Sequence, residues 1–210
     1  MYKVYGSPLN RTARVLWMLE ELGQDYEIIP CGPHSEEIYR HNPLGKNPAL
    51  GDGDVSVADS SAILHYLADK HGALTFPAGS PERAAQDRAT FFLLDDIEGA
   101  LWTDFKNRMV LPEDQRIPAI LPQCEAQAMR AVAALEKLLG EGPYLMGATF
   151  TVPDIIAGHL ANWMEYGCKY EIPAGKAKDY FDRVRARPAL GAAMAKGKAA
   201  AKAAKDAAAG

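Results

Sequence analysis

The sequence predicts an α/β domain followed by an all-α domain, and three observations carry that reading. Residues 1–76 alternate short strand-like runs with helix-like runs, and every periodic run after about residue 82 has helical spacing. Between them "PAGSP", Pro77 to Pro81, has the composition of a linker. The expected division is therefore 1–76, a linker over 77–81, and 82–210, and a chain of 210 residues has room for two such domains.

The first part opens with "YKVYG", a short run rich in β-formers. From Arg11 to Gly23 the residues Val15, Leu19 and Leu22 recur at helical spacing before a terminating glycine. "YEIIP" reads as a second strand, and "SEEIYRHN" as a short helix with Ser35 as its cap. "PALGDGDVSV" reads as two strands around an Asp-Gly turn, the signal of an antiparallel hairpin. Asp59 to Lys70 is a third helix, stopped at Gly72. The order βαβ-α-ββα has the form of the thioredoxin fold.

The second part offers helices near 82–110, 122–139, 152–166 and from 177 into the tail, separated by Pro-bearing and Gly-bearing breaks. Within "TFTVPDIIAGHL", Thr151 stands three residues before Asp154 with Pro153 in the first turn, the pattern of a reciprocal helix cap. The tail "KGKAAAKAAKDAAAG" is low-complexity, read as an alanine-rich helix or a fraying end, and carries no functional expectation.

Composition narrows the function classes. A net charge of −4 argues against a broad electrostatic footprint for nucleic acid, so a small molecule or a protein is the expected partner. The opening "MYKVYGSPLN" lacks an apolar segment of signal-peptide length, and no apolar run approaches the roughly 18 residues of a membrane span, so a cytoplasmic protein with no membrane partner is expected. Cys31, Cys124 and Cys168 are odd in number and far apart, which reads as free thiols. "CGPH", Cys31 to His34, follows the second strand rather than the first and lacks the second cysteine of a redox box. The five histidines have no metal-ligand spacing, so no metal is expected.

One stretch asks for more than folding. "GKNPALGDGDVSVADSSAIL", Gly45 to Leu64, places an Asn47-Pro48 pair at the start of a strand and Asp59, Ser60 and Ser61 at the start of a helix that needs only one cap. With "RVLWMLEELG", "NPLGKNPAL", "DSSAILHYLADKHG", "YLMGATFTVPDI" and "RARPAL", all in register, the chain resembles the glutathione S-transferase superfamily, in its bacterial theta-like and phi-like branches, over nearly its whole length. The resemblance implies a cytosolic homodimer acting in detoxification. Its thioredoxin-like domain would bind glutathione as co-substrate, and its helical domain would receive a small electrophile.

The resemblance also assigns residues. It implies a cis bond before Pro48, with the backbone of Asn47 pairing with the cysteinyl part of glutathione. Ser60 matches the serine that holds the γ-glutamyl carboxylate at a helix N-terminus, a place suited to an anion. Asp59 matches the neighbouring acid at the γ-glutamyl end. Lys46 stands where related classes place a polar or basic residue near the glycyl carboxylate, with His41 a weaker candidate beside it.

The remaining question is what activates the thiol. A free cysteine thiol has a pKa of about 8.5, and lowering it by two units needs roughly 2.7 kcal/mol of preference for the thiolate. Theta-like and phi-like relatives carry a serine four residues before an arginine of the first helix; counting back from Arg14 gives Asn10. An amide N–H can also donate to a thiolate, and some relatives with disulfide-reducing activity carry asparagine at this place. Ser7 is the alternative in another loop register, and Arg11 would add positive charge. The expectation is a glutathione transferase; the alternatives are a glutathione-dependent peroxidase or disulfide reductase, and a binding module without turnover. "LWTDFKNRM" and "NWMEYG" bring aromatic and polar residues to helices that face the cleft in the family, though aromatic stripes are commonly plain core.

Overall fold

In "YKVY" Tyr2, Val4 and Tyr5 are buried and only Lys3 is exposed, so strand β1 (Tyr2–Tyr5) is covered on both faces, as suits a strand paired on both sides within a sheet. The computed structural model describes residues 1–209. β2 (Tyr26–Ile29) runs parallel to β1, while β3 (Ala49–Asp52) and β4 (Val55–Ala58) add antiparallel neighbours, giving the order β2-β1-β3-β4. Val4 lies between Ile28 and Leu50, and Leu50 pairs with Val57. The sequence order βαβ-α-ββα is completed by α1 (Thr12–Glu21), α2 (Glu36–Tyr39) and α3 (Ser60–His71).

Each of these helices starts and stops for a local reason. Ser35 Oγ accepts from the Ile38 N–H and caps α2. Asp59 caps α3, which ends where Gly72 takes the left-handed conformation at φ 59° that glycine adopts without steric cost. α1 is buried from Thr12 to Leu19, because β1, α3 and a distant helix all pack on it.

Residues 76–185 form a compact unit of their own. α4 (Pro81–Phe92) starts with Pro81 in its first turn and Ser80 Oγ accepting from the Arg83 N–H. The expected 82–110 helix is helical throughout but changes pitch. A π-helical turn at Leu93–Glu98 leads into α5 (Gly99–Phe105), and a second at Lys106–Val110 ends it. α6 (Leu121–Leu138) and α7 (Val152–Asn162) follow, the latter extended by a π-helical turn at Trp163–Cys168, then α8 (Lys176–Arg185). Leu93, Ile97, Leu101, Val152, Ile155, Ile156, Leu160, Phe181 and Val184 form its interior. At the start of α7 the Asp154 carboxylate accepts from the N–H (2.8 Å) and hydroxyl (3.2 Å) of Thr151, the Leu145 N–H (3.0 Å) and the Tyr180 hydroxyl (2.7 Å).

The tail departs from the sequence division, which assigned everything after 82 to the helical part. The stretch from 177 is interrupted before Pro188, whose ring and missing N–H prevent a continuous helix, and resumes as α9 (Pro188–Ala209). α9 groups with residues 1–75 and packs along α1. Arg187 donates through Nε and Nη2 to both oxygens of Glu21, each at 2.6 Å, a two-point bond that fixes orientation as well as distance.

Candidate functional site

Two helix N-termini in the first unit carry most of the residues singled out by sequence. At α3, Asp59 sits at φ 75° and ψ 125°, an unfavourable backbone for a non-glycine residue. Its Oδ1 accepts from the Ser61 N–H (2.9 Å) and the Ala62 N–H (3.2 Å). Capping therefore falls to Asp59, and the Ser60 hydroxyl is not spent on the helix. Ser60 is buried, and its Oγ accepts from Arg14 Nη1 at 3.3 Å. That bond uses the oxygen and leaves the hydroxyl hydrogen able to donate.

Arg14 is 1% exposed, so a permanent positive charge lies buried behind the α3 N-terminus. Sequence reasoning used Arg14 only to set a register. The available signal was an arginine inside the otherwise apolar run "ARVLWML", where a charge on a buried helix face needs a partner.

At α1, Asn10 joins three loops. Its Oδ1 accepts from the Thr12 N–H (2.8 Å) and hydroxyl (2.7 Å), which caps the helix start, while its Nδ2 donates to Asn47 Oδ1 at 3.0 Å. Asn47 Nδ2 in turn donates to the Cys31 carbonyl at 3.1 Å, and the Asn47-Pro48 bond is cis. Gly6 permits this convergence: at φ 144°, a Cβ there would stand 2.2 Å from Thr12 Oγ1 and 3.2 Å from Asn47 Cβ. The Ser7 hydroxyl accepts from the Leu9 N–H at 3.3 Å, so it shapes the turn that leads into Asn10. Arg11 is half-buried where α1 begins.

The structure thus joins Asn10 to Asn47 and Arg14 to Ser60 directly. Lys46 is exposed one residue before Asn47, and its carbonyl accepts from Asn42 Nδ2 at 2.6 Å. Asn42 is buried and also accepts from the Leu44 N–H at 3.0 Å, so it holds the loop that presents Lys46. Sequence reasoning missed it, although an Asn before Pro is a recognisable loop former. His41 is not part of this group: it stacks on Tyr5 with ring centroids 3.8 Å apart, and its Nδ1 lies 2.9 Å from Ser56 Oγ.

The chain's own thiols are poorly suited to act as the nucleophile. Burial pushes the Cys31 thiol up, with the Glu37 carboxylate adding to the effect. Burial likewise raises Cys124, and takes Cys168 up to about 12. Since only the thiolate attacks, a raised pKa leaves these groups neutral and slow at pH 7. The native protein is expected to react with an aromatic disulfide reagent at pH 7.5 more slowly than free cysteine, because burial raises all three thiols and so lowers their thiolate fraction. Prompt labelling of one thiol per chain would contradict this. Among the described residues no group of three or more His, Cys, Asp or Glu could hold a metal ion. None of the described helices is long and apolar enough to cross a membrane.

Comparison with known proteins gives consistent matches. Residues 1–79 match the family described as "Glutathione S-transferase, N-terminal domain", and residues 118–195 match "Glutathione S-transferase, C-terminal domain". The chain is 29% identical to disulfide-bond oxidoreductase YfcG of Escherichia coli (strain K12), covering 93% of this chain and 95% of the relative. It is 30% identical to glutathione S-transferase 1 of Triticum aestivum over 73% of this chain and 75% of that protein. Among solved structures, the theta class glutathione S-transferase of Xanthomonas axonopodis pv. citri, with glutathione bound, superposes with a TM-score of 0.78 at 26% identity, covering 92% of this chain and 96% of the other.

Proposed function

Because the chain belongs to the cytosolic glutathione S-transferase superfamily, we propose that it binds glutathione across the α1 start, the Asn47-Pro48 loop and the α3 N-terminus, and activates its thiol. What supports the reading most is the 3.0 Å bond between Asn10 and Asn47. It joins the residue assigned to the sulfur and the residue assigned to the cysteinyl backbone, two parts of one ligand residue only a few bonds apart.

In this reading the Ser60 hydroxyl donates to the γ-glutamyl carboxylate, and buried Arg14 and the α3 terminus supply positive potential behind it. Asp59 keeps its second carboxylate oxygen for the γ-glutamyl ammonium. Lys46 faces the glycyl carboxylate. The Asn10 amide donates to the sulfur; an amide is not a base, so it stabilises the anion while the thiol proton passes to water. Arg11 and the α1 N-terminus add to the same field, and Ser7 remains the alternative donor.

The activated sulfur then attacks an electrophilic carbon. A sulfur–carbon bond forms, and the leaving group departs with the electron pair of the bond it breaks. A second reading uses the same thiolate on a disulfide, forming a mixed disulfide and releasing a thiolate. The similarity to a disulfide-bond oxidoreductase over 93% of the chain favours keeping it. A cytoplasmic homodimer with an isologous interface belongs to the proposal as well.

Calorimetric titration with glutathione tests the binding site. Ser60→Ala is expected to weaken binding about ten- to hundredfold, the loss of a charge-assisted hydrogen bond worth about 1.5–3 kcal/mol. Unchanged affinity removes Ser60 from the site. Turnover measured side by side on an aryl halide and on a mixed disulfide with glutathione then separates the two reactions.

A further inference from the structure

The tail helix α9 carried no functional expectation, yet its one buried glycine, Gly197, packs against the turn that places Asn10. A Cβ built on Gly197 would stand 2.5 Å from Pro8 Cβ, 3.2 Å from Pro8 Cγ and 3.3 Å from Leu16 Cδ1. The first distance is far inside van der Waals contact, and a proline ring has no rotamer by which to withdraw. Glycine within a helix is less stable than alanine, so its use where a side chain would collide has a packing reason. Gly191, on the same helix, gives the contrast: a Cβ there meets nothing within 4 Å.

α9 is anchored on both sides of Ala193, which is completely buried. Arg187 binds both oxygens of Glu21, and Lys196 Nζ pairs with Glu20 Oε1 at 2.5 Å, an oxygen that also accepts from the Tyr26 hydroxyl. Sliding along α1 to relieve a contact at position 197 would break these bonds, so the turn must give instead. That turn is closed by the Asn10 N–H donating to the Ser7 carbonyl at 3.3 Å, with Pro8 inside it.

We infer that Gly197 is a positioning residue: it lets the α9 backbone seat Pro8, and through the Ser7–Asn10 turn it fixes where the Asn10 amide stands relative to the glutathione sulfur. The inference rests on the reading of Asn10 as the thiol contact. Both partners lie in the same compact unit, so the coupling needs no motion between units.

The test compares Gly197→Ala with Gly191→Ala, the same chemical change on one helix with and without the collision. Three quantities are read: amide hydrogen exchange of residues 7–13 in the ligand-free protein, glutathione affinity, and the pKa of the bound thiol from its ultraviolet absorbance. Gly197→Ala is expected to speed exchange in that segment, raise the thiol pKa by about 0.5–1 unit and lower kcat/KM about three- to tenfold below neutral pH, with affinity changed less than about twofold. Gly191→Ala is expected to leave all of these unchanged. Adding Pro8→Gly to the Gly197→Ala chain removes the atoms in collision and is expected to recover part of the shift, which keeps the test open if the single variant folds poorly. If Gly197→Ala matches Gly191→Ala in exchange and thiol pKa, the inference is overturned. If it leaves the thiol pKa unchanged while Asn10→Ala shifts it, the role of Gly197 alone is overturned. If neither moves the pKa, the reading of Asn10 itself fails.

Discussion

Replacing Asp154 by Ala is expected to lower stability by about 3–5 kcal/mol, several buried donors each costing roughly 1–3 kcal/mol when left unsatisfied. The carboxylate collects four donors, from Thr151 twice, Leu145 and Tyr180, and Thr151 and Tyr180 are themselves buried. Its removal strands them together, in a place where water cannot replace the lost oxygen atoms without opening the α7 start. Asp154→Asn keeps the shape but turns one acceptor into a donor, so it should recover only part of the loss. Urea denaturation followed by circular dichroism measures both. A shift in Asp154→Ala smaller than about 1 kcal/mol would place the site among ordinary surface caps.

Asn10→Ala is expected to lower kcat/KM for glutathione-dependent turnover about ten- to hundredfold near pH 6.5, the range given by losing a hydrogen bond to an anion worth about 1.5–3 kcal/mol. The loss should shrink as pH rises, because above the thiol's own pKa the thiolate forms without help. Asn10 also caps α1 through Oδ1, so this variant loses about 1 kcal/mol of stability as well. Asn10→Asp separates the two roles. It keeps the cap acceptor, and it places a negative charge where the sulfur must become negative, so activity should fall further while the α1 start holds. Steady-state rates on an aryl halide across pH 5.5–9 check this, and equal pH profiles for all three chains would count against side-chain activation.

Local signals made much of this legible in the sequence. The Thr151-x-x-Asp154 spacing announced a cap, because such a cap closes within three residues, whereas which of Asp59, Ser60 and Ser61 caps α3 was settled only by the bonds from the Ser61 and Ala62 N–H groups to Asp59. The succession of strands and helices followed from short β-rich runs and helical runs separated by turn residues. The four-donor count at Asp154 was not legible, since Leu145 and Tyr180 reach it from nine and 26 residues away. Arg14 was visible only as an oddly placed charge, and its bond to Ser60 depends on how α1 packs against α3. The return of α9 to α1 was hidden by composition: a run of alanine and lysine presents no strong apolar stripe, so nothing marked Ala193 and Gly197 as the buried positions. Asn10 stood out as a departure from the serine pattern, but its pairing with Asn47 joins residues 37 apart.

The most direct measurement is the ultraviolet absorbance of the thiolate, titrated against pH with glutathione bound to the native chain, to Asn10→Ala and to Ser7→Ala. A midpoint below that of free glutathione is expected in the native chain and is largely kept in Ser7→Ala, which loses only the 3.3 Å bond from the Leu9 N–H, while Asn10→Ala moves back toward the free value. A native midpoint equal to that of free glutathione, or a shift abolished by Ser7→Ala and retained by Asn10→Ala, would contradict this.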